Sequence, residues 1–267
     1  QAHYRDFRTS VDLATRLFLG RKSRWNGVHP SLALSLGLGI AKSDYEAVSD
    51  QSVEVLSEGG YAVWRLVDGH ILLRLPHFRF RPSHSDILHL NVQWRGVDVL
   101  RDGGSFSYNG IPDRSGYFAG VASHNTVQFD DHDQMPRLSR FLWGSWPRGR
   151  WKKAGPRSLS AAYRDWTGAK HSRHVSVSGS RIRIDDDVAG FTRKAVLRWR
   201  LPAGAWRLKG GEISDGGISL TIKGASDLQI RIIRGEESRF YQSVADICVI
   251  EAEVNNPARI STVICLP

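Results

Sequence analysis

Residues 86–95 read DILHLNVQWR, and this stretch decides the class of fold. Its apolar residues recur at every second position, at Leu88, Leu90, Val92 and Trp94. A period of two is typical of a β-strand that buries one face. Gly96 ends the pattern, and residues 97–102 predict a second short strand that pairs with the first.

The strand pattern continues to the end of the chain. Asp68-Gly69 predicts a hairpin turn between strands at residues 61–67 and 71–75. Further strands are predicted at residues 124–129, 140–146, 159–166, 173–177, 181–187, 194–201, 218–222, 228–234 and 258–265. Their spacing of roughly ten residues, with Gly, Ser or Pro between them, is typical of stacked antiparallel sheets. The sequence therefore predicts an all-β, antiparallel β-sandwich over residues 59–267.

Residues 1–58 have a different pattern. Thr9-Ser10 can cap a helix that ends at Leu19, before Gly20. The apolar residues 32–40 predict a second helix. Because two short helices cannot form a core alone, we expect residues 1–58 to be the C-terminal end of a helical domain that lies upstream.

Composition limits the classes of partner. The chain has 267 residues and is 41% hydrophobic, enough to bury a core without disulfides. Its net charge of +10 favours an anionic partner, such as an acidic polysaccharide, a nucleic acid or an anionic surface. No RNA-binding or OB-fold signature is present and no apolar run is long enough to span a membrane, so neither nucleic acid nor a membrane span is expected. Cys248 and Cys265 match no metal motif, and whether they form a disulfide stays open.

Three predicted strand ends carry side chains that bind metals: His84, Asp102 and His124. Two imidazoles and a carboxylate suit zinc, with water in the fourth position. A simple hairpin register would place Asp102 opposite Leu88, so a bulge or strand twist is needed to bring Asp102 to His84. Gly103-Gly104 supplies a backbone that can bend there. The alternative is that these residues are ordinary hydrogen-bonded turn residues.

Residues 137–157 form the most basic window, with seven Lys or Arg and no acidic residue. Arginine binds carboxylate or sulfate through two hydrogen bonds, and tryptophan stacks on sugar rings. The predicted substrate-binding residues are Arg140, Trp143, Trp146 and Arg148. The alternative is a twisted strand pair whose tryptophans are in the core and whose arginines are in solvent.

Several motifs, in this order, resemble the C-terminal half of heparinase II/III-like polysaccharide lyases. They are His84-Ser85-Asp86, Asp102-Gly103-Gly104-Ser105-Phe106-Ser107-Tyr108 and His124-Asn125-Thr126, with later matches at residues 171–173, 181–187 and 237–241. The resemblance covers about residue 60 to the C-terminus. It implies a β-sandwich that follows an N-terminal α/α toroid. In members that carry zinc, residues matching His84, Asp102 and His124 hold the ion, which here would be structural.

The resemblance also implies a reaction, a substrate and a location: β-elimination of an acidic, uronate-containing polysaccharide in the periplasm or cell envelope. The reaction needs a group that neutralises the uronate carboxylate and a Tyr or His that removes the neighbouring proton. Family members take these groups from the toroid, and residues 1–58 contain no counterpart, so the main catalytic residues are expected upstream of Gln1.

Whether this chain is an enzyme is left open by its sequence. A histidine that acts in catalysis in some relatives, two positions before the zinc-site histidine, is replaced here by Pro82. We therefore expect the chain alone to be weakly active or inactive. The alternative function is a non-catalytic carbohydrate-binding or scaffold β-sandwich in cell-envelope or exopolysaccharide metabolism.

Overall fold

The computed structural model describes residues 8–19, 52–109 and 112–267. The chain divides into two compact units, Gln1–Ser49 and Asp50–Pro267. In the first unit the structure describes helix α1, Arg8–Leu19, which ends at Leu19 as predicted. It begins at Arg8, so Thr9 and Ser10 lie inside the helix and the predicted cap at these residues is wrong. The predicted second helix at residues 32–40 lies outside the described residues. The assignment of residues 1–58 to a larger helical domain stays a prediction.

The second unit consists mainly of antiparallel sheets. The first sheet has five strands in chain order: β1 Glu54–Leu56, β2 Tyr61–Leu66, β3 Gly69–Arg74, β4 Leu90–Trp94 and β5 Val97–Leu100. The largest sheet has eight strands, in the spatial order β14 Arg207–Lys209, β15 Glu212–Ser214, β16 Ser219–Lys223, β19 Ala258–Cys265, β12 Arg181–Ala189, β11 Lys170–Ser178, β10 Ser158–Arg164 and β9 Gly149–Gly155.

A third sheet and three small elements complete this unit. The third sheet has the order β17 Gln229–Phe240, β18 Ser243–Val254, β13 Ala195–Leu201 and β6 Val127–Phe129. Two short strands, β7 Arg137–Ser139 and β8 Leu142–Trp143, pair with each other. Helix α2, Pro112–Ala119, and a 3₁₀ helix, Val121–Ser123, lie between β5 and β6. Among the described residues, no helix combines the length and apolar character needed to cross a bilayer.

The core lies between the eight-stranded sheet and the other two sheets. Trp64, Ile184 and Trp199, one from each sheet, belong to a single cluster of buried apolar side chains. Trp199 Nε1 donates to Thr262 Oγ1 of β19 at 3.1 Å, so this contact joins the two layers. The predicted all-β, antiparallel sandwich is confirmed.

The deciding stretch folds differently from its simple alternation. Residues 86–89 form a turn in which the His89 N–H donates to the Asp86 carbonyl at 3.0 Å, and Leu88 has a φ of 60°. The strand therefore starts at Leu90, later than its apolar pattern predicts. The pairing of β4 with β5 also shifts by one residue next to Val92. This turn and this bulge supply the departure from a simple hairpin that the predicted metal site requires.

Other predicted strands need correction. The strand predicted at residues 140–146 is wrong, because the chain turns at Arg140-Phe141 and forms the hairpin of β7 and β8 instead. The strand predicted at residues 124–129 is shorter and begins at Val127, after the 3₁₀ helix. Among the described residues, the sequence pattern missed six strands: β1, β7, β9, β14, β15 and β18.

Candidate metal centre and adjoining pocket

His124 is fully buried and follows the 3₁₀ helix directly. Its Nδ1 lies 2.8 Å from the Gly120 carbonyl oxygen. Since a carbonyl can only accept, Nδ1 carries a proton and the neutral ring has its lone pair on Nε2. A backbone carbonyl that fixes one ring nitrogen in this way is typical of histidines that bind a metal through the other nitrogen.

His84 reaches His124 from the loop between β3 and β4. The His84 Nδ1 lies 3.2 Å from His124 Nε2. Gln134 holds this loop through both ends of its side-chain amide: Oε1 accepts the Ile87 N–H at 2.8 Å and Nε2 donates to the Ile87 carbonyl at 2.9 Å. The Gln134 N–H donates to Ser85 Oγ at 3.0 Å. His84 is therefore positioned by a loop with several fixed points.

Asp102 approaches the same nitrogen from the end of β5. Its Oδ2 lies 3.2 Å from His124 Nε2, and its Oδ1 accepts the Gly104 N–H at 2.6 Å. The Asp102 side chain is 39% exposed, so this carboxylate forms the solvent side of the cluster. The structure thus brings together all three residues that were predicted as metal ligands.

The glycine pair after Asp102 permits this approach. A Cβ at Gly103 would lie 2.7 Å from Ser123 Cβ, next to His124. Gly104 has a φ of +82°, and a Cβ there would lie 2.0 Å from the Ser238 carbonyl oxygen of β17. No other residue type fits either position without moving a neighbour.

Asp86 is a fourth member of the cluster that the sequence analysis did not assign. Ligand atoms of His84, Asp86 and His124 all lie within 4.8 Å of one another. Asp86 is 6% exposed, and its Oδ2 lies 2.7 Å from Arg74 Nε. The signal in the sequence was its position two residues after His84, in the motif His84-Ser85-Asp86. We refer to His84, Asp86, Asp102 and His124 as the histidine cluster.

Burial and mutual charge set the pKa values in this region. Burial lowers the pKa of His84, and a positive charge on His124 lowers it further. Burial also lowers the pKa of His89 to about 3. The partial burial of Asp102 alone would raise its pKa, but His124 outweighs this effect and holds the pKa well below its ordinary value. Burial alone would lower the pKa of His124, but the Asp102 carboxylate outweighs burial and raises this pKa.

Asn125 supports the cluster from the protein interior. Its N–H donates to His89 Nδ1 at 2.9 Å, and the His89 ring packs edge-to-face on His124 at 5.5 Å. Its side-chain Nδ2 donates to the carbonyls of Leu90 and Arg101, at 2.8 and 3.2 Å. The asparagine of the His-Asn-Thr motif therefore holds the start of β4 against the end of β5.

The second layer of the sandwich also reaches this region through Arg173 of β11. This fully buried guanidinium donates through Nη1 to the carbonyls of Leu88 and Asn125, at 2.5 and 2.8 Å. Leu88 directly precedes His89 in the sequence, and Asn125 directly follows His124. Arg173 therefore fixes the backbone beside both His89 and His124.

A pocket of about 430 Å³ opens beside the His84 side chain. It combines three arginines, several serines and three exposed aromatic rings. Its lining residues are Phe80, Arg81, Pro82, Ser83, His84, Ser105, Ser107, Tyr108, Ser115, Ala119, Arg137, Arg140 and Phe141. The pocket therefore offers cationic and hydroxyl groups together with apolar ring faces.

The four predicted substrate-binding residues are not all in this pocket. Arg140 lines it, and its Nη1 donates to the Tyr108 carbonyl at 3.1 Å. Trp143 is only 2% exposed and lies under the Arg137 guanidinium, so its ring offers no face to a sugar. Trp146 is 37% exposed and, like the exposed Arg148, is outside the pocket lining.

Comparisons with known proteins agree with this architecture. A heparinase III superposes with a TM-score of 0.74 at 17% identity, over 99% of this chain and 41% of its own. The heparan sulfate lyase HepC from Pedobacter heparinus gives a TM-score of 0.69 at 14% identity, over 99% of this chain and 42% of its own. A mutant chondroitin AC lyase from Streptomyces coelicolor gives 0.51 at 9% identity, over 83% of this chain and 33% of its own.

These identities are low, so the solved structures establish a shared fold. The chain spans about two fifths of the length of the two heparin-type lyases. No curated protein sequence matches it. A family model described as "Heparinase II/III-like, C-terminal" matches residues 49–252, which is most of the chain. The chain therefore belongs to the heparinase II/III-like family and carries its C-terminal β-sandwich.

Proposed function

We propose that this chain is the β-sandwich part of a polysaccharide lyase-like protein and forms an anion-binding wall for an acidic, uronate-containing polysaccharide. The observation that carries the proposal is the pocket beside the histidine cluster, where arginines and exposed rings meet. The family membership supports a polysaccharide as the ligand class. A periplasmic or cell-envelope location and an upstream helical partner domain belong to the same proposal.

The arginines of the pocket are held in place by neighbouring groups. The Arg137 Cζ lies 5.6 Å from the centre of the Trp143 ring, and Arg137 Nη2 donates to the Arg140 carbonyl at 3.2 Å. Arg140 in turn donates a hydrogen bond from Nη1 to the Tyr108 carbonyl. Guanidinium groups with restricted freedom lose less entropy when they bind carboxylate or sulfate through two hydrogen bonds. Trp143 thus supports an anion-binding arginine from below.

The rings at the rim suit the apolar faces of sugars. Phe80, Tyr108 and Phe141 are 74%, 63% and 50% exposed. The rings of Tyr108 and Phe141 lie 6.4 Å apart, so together they form a broader surface. An exposed aromatic surface beside arginines binds a chain that alternates apolar ring faces with acidic groups.

Cleavage by β-elimination would divide the chemistry between this wall and the upstream part. Pocket arginines bind acidic groups of the polysaccharide and position it. The base and the group that neutralises the reacting carboxylate come from the upstream domain. The second candidate function, a non-catalytic carbohydrate-binding or scaffold sandwich, is favoured by Pro82, which stands where some relatives have a catalytic histidine.

A structural zinc ion fits the histidine cluster. His124 Nε2 lies 3.2 Å from both His84 Nδ1 and Asp102 Oδ2. Two ligands of a tetrahedral zinc ion, each at 2.0–2.2 Å, are about 3.3–3.6 Å apart, so these separations come close to those of a bound ion. His84, Asp102 and His124 would hold it, and it would supply a rigid link between the β3–β4 loop and the end of β5.

Binding to defined polymers tests the proposed ligand. The chain should bind uronate polymers and not a neutral glucan of equal length. Arg140→Ala should weaken binding about 10- to 100-fold, because a charge-assisted hydrogen bond contributes about 1.5–3 kcal/mol. Arg148→Ala is the matched control, since Arg148 is exposed in the same basic window but outside the pocket lining. Equal losses in both variants would show that net charge, and not the pocket, binds the polymer.

Ultraviolet absorbance of the unsaturated product separates the two candidate functions. The protein with its upstream region should release absorbing product from a uronate polymer that this chain binds. The 267-residue chain alone should release product at least about 100-fold more slowly, because base and carboxylate neutraliser are each expected to be missing. Binding without product in both forms would favour the non-catalytic function.

A further inference from the structure

Asp86 is the carboxylate in the histidine cluster whose hydrogen bonds are incomplete. Arg74 lies beside Oδ2, whereas the buried Oδ1 accepts no hydrogen bond from any residue that the structure describes. An unpaired carboxylate oxygen in the protein interior is costly, so it calls for a compensating positive group. The His84 and His124 nitrogens lie within 4.8 Å of an Asp86 carboxylate oxygen, which identifies where that group would lie.

The two carboxylates of the cluster are arranged alike. In Asp102, Oδ1 is held by the Gly104 N–H and Oδ2 faces His124 Nε2. In Asp86, Oδ2 is held by Arg74 and Oδ1 has no hydrogen-bond partner among the described residues. Each carboxylate thus has one oxygen fixed by the protein and one oxygen that remains for a ligand. Such orientation by neighbouring donors is typical of metal-binding carboxylates.

We propose that Asp86 is a fourth metal ligand, so that the cation is held by two histidines and two aspartates with no coordination position left for water. This inference rests on the proposed zinc centre and changes its chemical type. Metal sites with four protein ligands are structural, whereas catalytic sites keep an open position. The sequence alone had favoured three protein ligands and a water.

The charge of the site follows from this ligand set. Two carboxylates balance a divalent ion, so the ion and its four ligands together carry no net charge, and the positive charge beside them is that of Arg74, which already pairs with Asp86. Anion recognition then belongs to the arginines of the pocket. With three ligands, in contrast, one carboxylate would leave a net positive ion that could itself bind a uronate.

Cobalt substitution tests the closed site without any variant. Co²⁺ added to the metal-free 267-residue chain should give the visible spectrum of a four-coordinate ion. Azide, which binds cobalt at an open position, should leave that spectrum unchanged. A clear change with azide in the wild-type chain would overturn the closed site while leaving the metal centre itself in place. A chain that takes up neither Co²⁺ nor Zn²⁺ would overturn the zinc centre and this inference together.

A pair of variants assigns the fourth ligand. Asp86→Asn should bind Co²⁺ at least 10-fold more weakly, and azide should now alter the spectrum. Asp165→Asn is the matched control, because Asp165 is also 6% exposed and also has a buried oxygen without a hydrogen-bond partner, outside the cluster. It should bind Co²⁺ as the wild type does. Unchanged affinity and spectrum in Asp86→Asn would exclude Asp86 as a ligand, and the wild-type azide result decides the question if this variant does not fold.

Discussion

Two buried groups of histidine and aspartate lie in the sandwich, and they differ in what satisfies their carboxylates. One is the histidine cluster at the ends of β4 and β5. The other, which we call the arginine cluster, consists of His171, Arg173 and Asp186 on β11 and β12. The three side chains of the arginine cluster are fully buried. In both regions, desolvation makes each unpaired polar atom expensive.

The arginine cluster contains its own cation. Asp186 Oδ1 accepts hydrogen bonds from His171 Nε2 at 2.6 Å and from Arg173 Nε at 2.7 Å, and Oδ2 accepts one from Arg173 Nη2 at 3.2 Å. Both carboxylate oxygens are therefore satisfied. Arg173 holds the pKa of Asp186 below its ordinary value, against the effect of burial, which would raise it.

The comparison shows that a buried histidine beside an aspartate does not by itself indicate a metal site. A guanidinium occupies the position of a cation in the arginine cluster, and no further ion is needed. In the histidine cluster, Arg74 stands beside one Asp86 oxygen only, and His124 Nε2 faces two potential ligands. The placement of the nearest arginine thus distinguishes the arginine cluster, which is structural, from the histidine cluster, which is a candidate metal centre.

The largest expected loss of stability comes from a substitution that breaks the arginine cluster. Asp186→Asn should lower the free energy of unfolding by about 3–5 kcal/mol, because it leaves the Arg173 charge buried without its partner. Urea denaturation with and without a chelator should give the same loss, since no metal is involved.

Asp187→Asn on the same strand provides the control. Asp187 pairs with Arg259 on the surface, where the side chains are 48% and 62% exposed. An exposed pair contributes only about 0–1 kcal/mol. If the two variants lose the same free energy, the buried carboxylate has no special structural role.

The second expected effect concerns the zinc ion proposed for the histidine cluster. His124→Ala should abolish metal binding and with it the metal-dependent part of stability, about 2.7 kcal/mol when free zinc is 100 times its dissociation constant. Thermal unfolding should be compared with zinc and with chelator. His174→Ala, on the outer face of the large sheet, should keep the full metal-dependent increase in Tm. A wild-type Tm that does not respond to zinc or chelator would contradict the metal centre.

The smallest expected effect is on the pH dependence of the free energy of unfolding. Burial lowers the pKa of His171 below the ordinary value, although Asp186 acts in the opposite direction. Below about pH 6.5 the unfolded chain therefore binds a proton that the folded chain does not, and stability is lost as the pH falls. His171 should contribute a slope of at most about 1.4 kcal/mol per pH unit.

The pH dependence of unfolding in His171→Asn isolates this contribution. His84 and His89 also have lowered pKa values, and that of His124 is raised, so the wild-type slope has several sources. The variant should show a smaller slope between pH 7 and pH 5. Equal slopes for wild type and variant would mean that His171 is protonated in the folded protein as readily as in the unfolded chain.

Local patterns in the sequence predicted most of the sandwich and brought His84, Asp102 and His124 forward as one group. Local patterns failed where distant partners decide the structure. Strand β18, Ser243–Val254, was missed because acidic residues interrupt its apolar pattern. Glu251 in that strand is paired with Arg198 and Arg231 of the strands on either side, which makes its carboxylate acceptable in a sheet.

The tryptophans and Asp86 illustrate the same limit at the site. Trp143 was predicted to stack on sugar, but Arg137 covers its ring, and this contact depends on the β7–β8 hairpin. Asp86 was predicted to begin a strand. Its position in the cluster arises from the positive φ at Leu88, which no alternation of apolar residues reveals.

The Gln134 side chain has a consequence for how fast the proposed metal centre would exchange its ion. It holds the loop that carries His84 through hydrogen bonds to both backbone groups of Ile87, and none of these bonds involves the metal site itself. The loop does not need to fold around an arriving ion. Unlike a zinc finger, in which the metal and the fold are lost together, this centre would take up and release its ion within a sandwich that stays closed. The exchange half-life would then depend on the ligand bonds and on access past Asp102, and hardly at all on the rate of unfolding.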